Sequence, residues 1–127
     1  MTEAAALESA RLMGRGDATA VDRAAGAAMR RAFHAMDVDA TVVIGEGREG
    51  EVEGLYVGER IGAGGAPIDV ALDALEGATV CATGGANALS IILIAERGRI
   101  LSCPETYMDK LAVGPEGRGV VSLDKSP

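Results

Sequence analysis

From Thr41 onward the apolar residues stop recurring at helical spacing, and that switch limits what the chain can fold into. Upstream, an alanine-rich run from Thr2 to Met13 reads as a first helix, with Thr2 as its N-cap and Glu3 in its first turn. Gly14-Arg-Gly16 stops it. Asp17 then caps a second helix, in which Val21, Ala25, Ala28, Met29, Ala32, Phe33 and Met36 share one face. Downstream come short β-type runs set between Gly or Pro turns: Thr41–Ile44, Leu55–Val57, Ile68–Leu72, Leu89–Ala95, Arg99–Ser102 and Leu111–Val113. No long crossover helix fits between them. Two N-terminal helices followed by a largely antiparallel sheet, an α+β or layered α/β arrangement, is the expected fold class.

A chain of 127 residues suits one domain with a modest core. Only 2% of it is aromatic, so Ala, Val, Leu, Ile and Met must build that core. The net charge of -7 argues against a nucleic-acid partner, because phosphate-backbone affinity needs clustered Lys and Arg. Arg30-Arg31 is too small a cluster to change that. Cys81 and Cys103 form no CxxC pair and His34, the lone histidine, is far from both in sequence, so no zinc site is expected. Both cysteines read as reduced, with Cys103 buried before Pro104, and His34 as a residue favourable to a helix C-terminus. No signal peptide opens the chain, and the longest apolar stretch, Ala86–Ala95, is too short to cross a bilayer. A cytoplasmic protein without membrane contact is expected.

Chemistry concentrates in Asp69-Val-Ala-Leu-Asp-Ala-Leu-Glu-Gly-Ala-Thr79. An apolar strand runs directly into Asp73 and Glu76 and then into Gly77. Buried carboxylates are costly unless paired, and packing gives no reason for two here. As hard-oxygen donors they suit a divalent cation, while backbone N–H groups after Gly77 can face a phosphate. Glu46 ends another strand, inside Gly45-Glu-Gly-Arg-Glu-Gly50. That spacing matches a dinucleotide loop, but Glu46 and Glu49 would repel a pyrophosphate and no helix signal follows. A plain acidic turn and a metal ligand are the other readings of Glu46. Asp22, one turn into the second helix, is most simply a solvated surface aspartate. Tyr107 reads equally as a half-buried strand aromatic or a ligand contact.

Gly14-Arg-Gly-Asp17, Thr41-Val-Val-Ile-Gly-Glu-Gly47, Leu55-Tyr-Val-Gly-Glu59 and Asp69 to Gly77 occur here in the order found in class II fructose-1,6-bisphosphatase. Ala86-Asn-Ala-Leu89, Tyr107-Met-Asp-Lys110 and Val113-Gly-Pro115 continue the resemblance over nearly the whole chain. It implies the lithium-sensitive sugar-phosphatase fold, a layered αβαβα sandwich. It also implies hydrolysis of the 1-phosphate of fructose 1,6-bisphosphate with Mn²⁺ or Mg²⁺, in gluconeogenesis and growth on glycerol. Carried across, the metal ligands fall on Asp22, Glu46, Asp73 and Glu76, and the substrate contacts on Glu76, Gly77, Ala78 and Tyr107.

Three departures accompany the resemblance. The family motif reads Asp-Pro-(Leu/Ile)-Glu-Gly-Thr, and its threonine orients the attacking water; this chain has Ala74 and Ala78 at the proline and threonine positions. Family members are also well over twice as long. The expectation is a single truncated sugar-phosphatase-like domain over residues 1–127, weakly active or inactive, with an uncovered sheet edge that favours a homo-oligomer. The alternative is a catalytically inactive homologue acting as a self-associating or partner-binding domain.

Overall fold

The computed structural model describes residues 1–104 and 106–125. Helices α1 (Thr2–Ala10) and α2 (Ala18–His34) come first, then strand β1 (Val38–Ile44). Strands β2 (Arg60–Ile61) and β3 (Ala66–Glu76), helix α3 (Ala78–Ala82) and strand β4 (Leu89–Glu96) follow, with a 3₁₀ turn at Pro115–Gly117. The sheet order is β2-β1-β3-β4. β1 pairs antiparallel with β2, β3 pairs antiparallel with β4, and β1 pairs parallel with β3. An α/β fold with a mostly antiparallel sheet is therefore what the described residues form.

The helices do what their apolar periodicity requires. Val21, Ala25, Met29 and Phe33 of α2 are buried against Ala40 and Val42 of β1 and Val70, Leu72 and Ala74 of β3. Asp17 caps α2 as expected, its Oδ1 accepting the Ala20 N–H at 2.9 Å. The N-cap of α1 is Met1 rather than Thr2, and α1 ends at Ala10. Beyond it, Leu12 and Met13 close single turns, because Gly14 and Gly16 are drawn off to donate to the Cys81 and Ala82 carbonyls at 3.0 and 2.8 Å. That stitch fixes the α1–α2 corner against α3. Both long helices cover one face of the sheet. On the other face Leu89, Ile91 and Leu93 of β4 are about half exposed.

Three expected strands do not form. Leu55–Val57 lies in a loop, and Arg99–Ser102 and Leu111–Val113 carry no strand pairing. The first has a clear cause. Leu55 takes φ 59°, outside the β region, because its N–H donates to the Glu59 carboxylate. Glu59 is only 4% exposed, and its Oε1 also receives Arg30 Nε from α2 at 2.7 Å. The Leu55 carbonyl in turn accepts the Glu46 N–H at 3.0 Å. A Cβ on Gly45 would lie 2.1 Å from that carbonyl, so glycine is required there. The 45–59 loop thus hangs on one buried carboxylate.

Removing Arg30 leaves that carboxylate charged and half-satisfied. Breaking a buried pair from one side costs about 3–5 kcal/mol, and partial exposure of Arg30 places Arg30→Met near the low end, about 3 kcal/mol. Urea unfolding checks this. A loss under about 1 kcal/mol, the scale of a surface pair, would contradict the account.

Candidate metal and phosphate site

β3 delivers Asp73 and Glu76 to its C-terminal end, where the pairing with β4 shifts register between the two residues. The irregularity frees their side chains from strict alternation. The Asp73 Oδ1 accepts the Leu75 N–H at 3.0 Å. From the loop just after β1, Glu46 reaches across so that its Oε1 accepts the Ala74 N–H at 2.6 Å. Ala74 is itself buried. A proline at this position would have no N–H to give, so the bond to Glu46 depends on the alanine.

The charges of these groups are mutually unfavourable. Burial pushes the Glu46 carboxyl up, the Ala74 N–H partly offsets this, and the nearby Asp73 and Asp22 charges raise it further. Burial also raises Asp73, followed by the neighbouring Glu76 carboxyl and the more distant charge of Asp22, with the Leu75 N–H partly offsetting them. Burial raises Asp22 as well. Asp22 therefore belongs to the same electrostatic cluster although it comes from α2. Among the described residues, no three His, Cys, Asp or Glu side chains already stand together as a metal-binding set.

The donors are all carboxylates, the hard-oxygen chemistry that suits Mg²⁺- or Mn²⁺-type ions and gives nothing to a soft metal. The raised pKa values of Asp22, Glu46 and Asp73 express burial and mutual repulsion, which a cation would relieve. The residues present fit such an ion.

Gly77, at φ 92°, turns the chain from Glu76 into α3. Ala78 follows, half-buried against the core, and Thr79 is exposed. Glu76, Gly77 and Ala78 are thus contiguous with the carboxylate cluster. Tyr107 is not: its side chain is fully exposed at 108% and rests on nothing. Cys103, expected to be buried, is also exposed, while Cys81 is buried, and both are free thiols. No helix follows Gly45–Gly50, as a dinucleotide site would need; the loop makes turns and a single bridge between Glu49 and Val52.

A cleft of about 450 Å³ runs along α2 on the other side of Asp22 and Glu46, beside Arg30, Arg31 and His34. It shares only those two carboxylates with the cluster. Residues that sequence reasoning passed over are Arg30 and Glu59, which position Glu46 through Leu55. A buried glutamate far in sequence from its arginine leaves no local signal.

The family described as bacterial fructose-1,6-bisphosphatase, glpX-encoded, matches residues 1–127. Fructose-1,6-bisphosphatase 1 class 2 of Escherichia coli K12 is 42% identical over 125 residues, covering 98% of this chain and 37% of that protein. The class 2 enzyme of Haemophilus influenzae is 41% identical, with 98% of this chain and 38% of that protein covered. A D-fructose 1,6-bisphosphatase class 2/sedoheptulose 1,7-bisphosphatase of Synechococcus elongatus is 37% identical over 139 residues, covering 99% of this chain and 40% of that protein. The chain spans well under half the length of these curated relatives. No helix among the described residues is long and apolar enough to cross a membrane. With that match running over residues 1–127 of this chain, the chain belongs to the bacterial class 2 fructose-1,6-bisphosphatase family.

Proposed function

We propose that this chain carries the cation- and phosphate-binding part of a sugar-bisphosphate phosphatase, with fructose 1,6-bisphosphate as the substrate and Mn²⁺ or Mg²⁺ as the ion. The observation that supports it most is the meeting of Glu46 with the end of β3, where its Oε1 accepts the N–H of Ala74 beside Asp73, with the Asp22 charge close enough to raise both carboxyls. Asp22, Glu46, Asp73 and Glu76 would hold the ion. Once bound, it supplies Lewis-acid polarisation of the phosphoryl oxygens and lowers the pKa of a coordinated water. The backbone N–H groups after Gly77 would face the phosphoryl group, and positioning with charge neutralisation is the protein's main share of such chemistry. Ala78 offers no hydroxyl to orient or deprotonate the water. A role in gluconeogenesis and glycerol use in the cytoplasm follows from the same reading, and the sedoheptulose bisphosphate named for the Synechococcus relative is a second substrate to test.

A non-catalytic, partner-binding role is the competing reading, supported by Ala78 and by the half-exposed Leu89, Ile91 and Leu93. Phosphate release with Mn²⁺ and fructose 1,6-bisphosphate separates the two. The chain as it stands should turn over weakly or not at all. Ala78→Thr should raise the rate by about 10²-fold or more, the usual worth of a positioned proton-handling group. No gain, with Mn²⁺ binding intact, would favour the partner-binding role.

The charge cluster also predicts a pH dependence. A carboxyl raised in the folded state stabilises the fold below the ordinary carboxylate range and loses that contribution as pH rises through its raised value. Cation-free protein should therefore gain from mild acidification at Asp73. Asp73→Asn keeps an acceptor for Leu75, so it should raise the neutral-pH melting temperature, by about 3 °C per kcal/mol of repulsion relieved, and abolish stabilisation by Mn²⁺. A lower melting temperature in the absence of cation would contradict the clustered charges.

Ala74→Pro removes the N–H that holds Glu46 Oε1. It should tighten Mn²⁺ binding by calorimetry, since that oxygen is released for the ion. Unchanged affinity would show that the bond to Ala74 does not compete.

A further inference from the structure

The cleft of about 450 Å³ along α2 meets the carboxylate cluster only at Asp22 and Glu46, and its size suits a small ligand. One wall is a stripe of α2 that carries Arg23, Arg30, Arg31 and His34, and the 45–59 loop supplies Glu51 and Glu53 on the other. Arg23 Nε lies 3.4 Å from Glu53 Oε1, so the walls stand close enough for one ligand to touch both. Gly26 forms part of the floor, in the interior of α2, where glycine weakens a helix. Packing does not ask for it, because a Cβ there would meet nothing within 4 Å. Gly54 differs: a Cβ on it would lie 2.6 Å from Arg30 Cδ. The helix backbone is therefore bared to the cleft at Gly26 for no internal reason.

Two arginines there have capacity to spare. Arg31 enters no ion pair among the described residues. Arg30 engages Glu59 through Nε and Nη2, which leaves its Nη1 outside that contact. Helical side chains lean towards the N-terminus, so Arg31 lies over the turn that contains Ala27 and Gly26. The negative end of α2 accounts for Arg31 and His34 in its last turns, but not for the bared glycine between them and Asp22.

We propose that this cleft is a second, non-reacting site for a phosphorylated sugar, with the phosphate held by Arg31 and Arg30 above Gly26 and the hydroxyls by Glu51 and Glu53. Guanidinium groups match phosphate oxygens, whereas carboxylates only accept and so call for hydroxyl donors. Inorganic phosphate would meet the repulsion of the acidic wall, and an unphosphorylated sugar would leave the arginines unanswered. A nucleotide base would find no Phe, Tyr or Trp to stack on. The occupant lies on the other side of Asp22 and Glu46 from the Gly77 turn. A divalent ion on those two carboxylates would remove charges that repel the phosphate, so ion and sugar phosphate should strengthen each other's binding. That coupling rests on the metal reading given above; the cleft does not.

Amide NMR of the chain titrated with fructose 6-phosphate tests this, with and without Mg²⁺. The Gly26, Ala27 and Arg31 amides should shift saturably, and fructose or inorganic phosphate at the same concentrations should move them far less. Arg31→Gln should weaken the binding by about ten-fold or more, the usual worth of a charge-assisted hydrogen bond. Gly26→Leu should abolish it while raising the melting temperature, since leucine is the better helix former and the space above it is open. Shifts confined to Gly77–Thr79, or undiminished affinity in both variants, would overturn the proposal. Mg²⁺ should tighten the binding about ten-fold. Shifts along α2 that are lost in both variants but indifferent to Mg²⁺ would uphold the cleft and count against Asp22 and Glu46 as ion ligands.

Discussion

The buried Glu59 carboxylate is the contact on which the working end of this molecule depends. It gathers the Leu55 N–H and the Arg30 guanidinium, and so ties the 45–59 loop to α2. Leu55, held in a conformation that a leucine seldom takes, then presents its carbonyl to Glu46. Glu46 is aimed by a chain of three contacts, none of which involves a carboxylate side chain of the cluster. This explains why a glutamate is worth burying against a part-exposed arginine in so small a domain: its use is to specify one loop conformation, more than to add stability.

The cluster it serves is a case of local frustration tolerated for function. Glu46, Asp73 and Asp22 would each be more comfortable apart, or neutral. Folding nevertheless leaves them within reach of one another's charge, because the strands and helix carrying them are fixed by apolar contacts of Val21, Ala25, Val42, Val70 and Leu72 elsewhere. Ala74 modifies this arrangement. Its N–H gives Glu46 a partner within the protein, so one oxygen is already committed when a cation arrives.

Much of this was legible in the residues. Asp17 as a cap, the buried face of α2 and the central strands all follow from propensity and periodicity, and each recurs in the structure. Asp73 and Glu76 stood out because an apolar strand has no packing use for them. Asp22 did not, since a helix-surface aspartate looks the same whether or not other carboxylates face it. The parallel pairing of β1 with β3 was hidden because its crossover contains no helix, only the 45–65 loop and two residues of β2. Leu55–Val57 misled because β-propensity says nothing of a glutamate four residues on that captures the backbone. The site motifs survive as a contiguous Glu76-Gly77-Ala78 turn, whereas Tyr107 stands apart in the described arrangement.

The two ends of the sheet handle charge in opposite ways. At one end Arg60 and Arg97 neutralise Asp39, whose carboxyl is held below its usual range by Arg60 first, and Arg97 also reaches Asp69. At the other end no cation answers Asp73 or Glu76 among the described ion pairs. The molecule is therefore polarised along its strands, with its unanswered negative potential focused where β3 ends. A dissolved divalent ion would be drawn towards that pole before making any contact, and added salt would weaken the attraction by screening it.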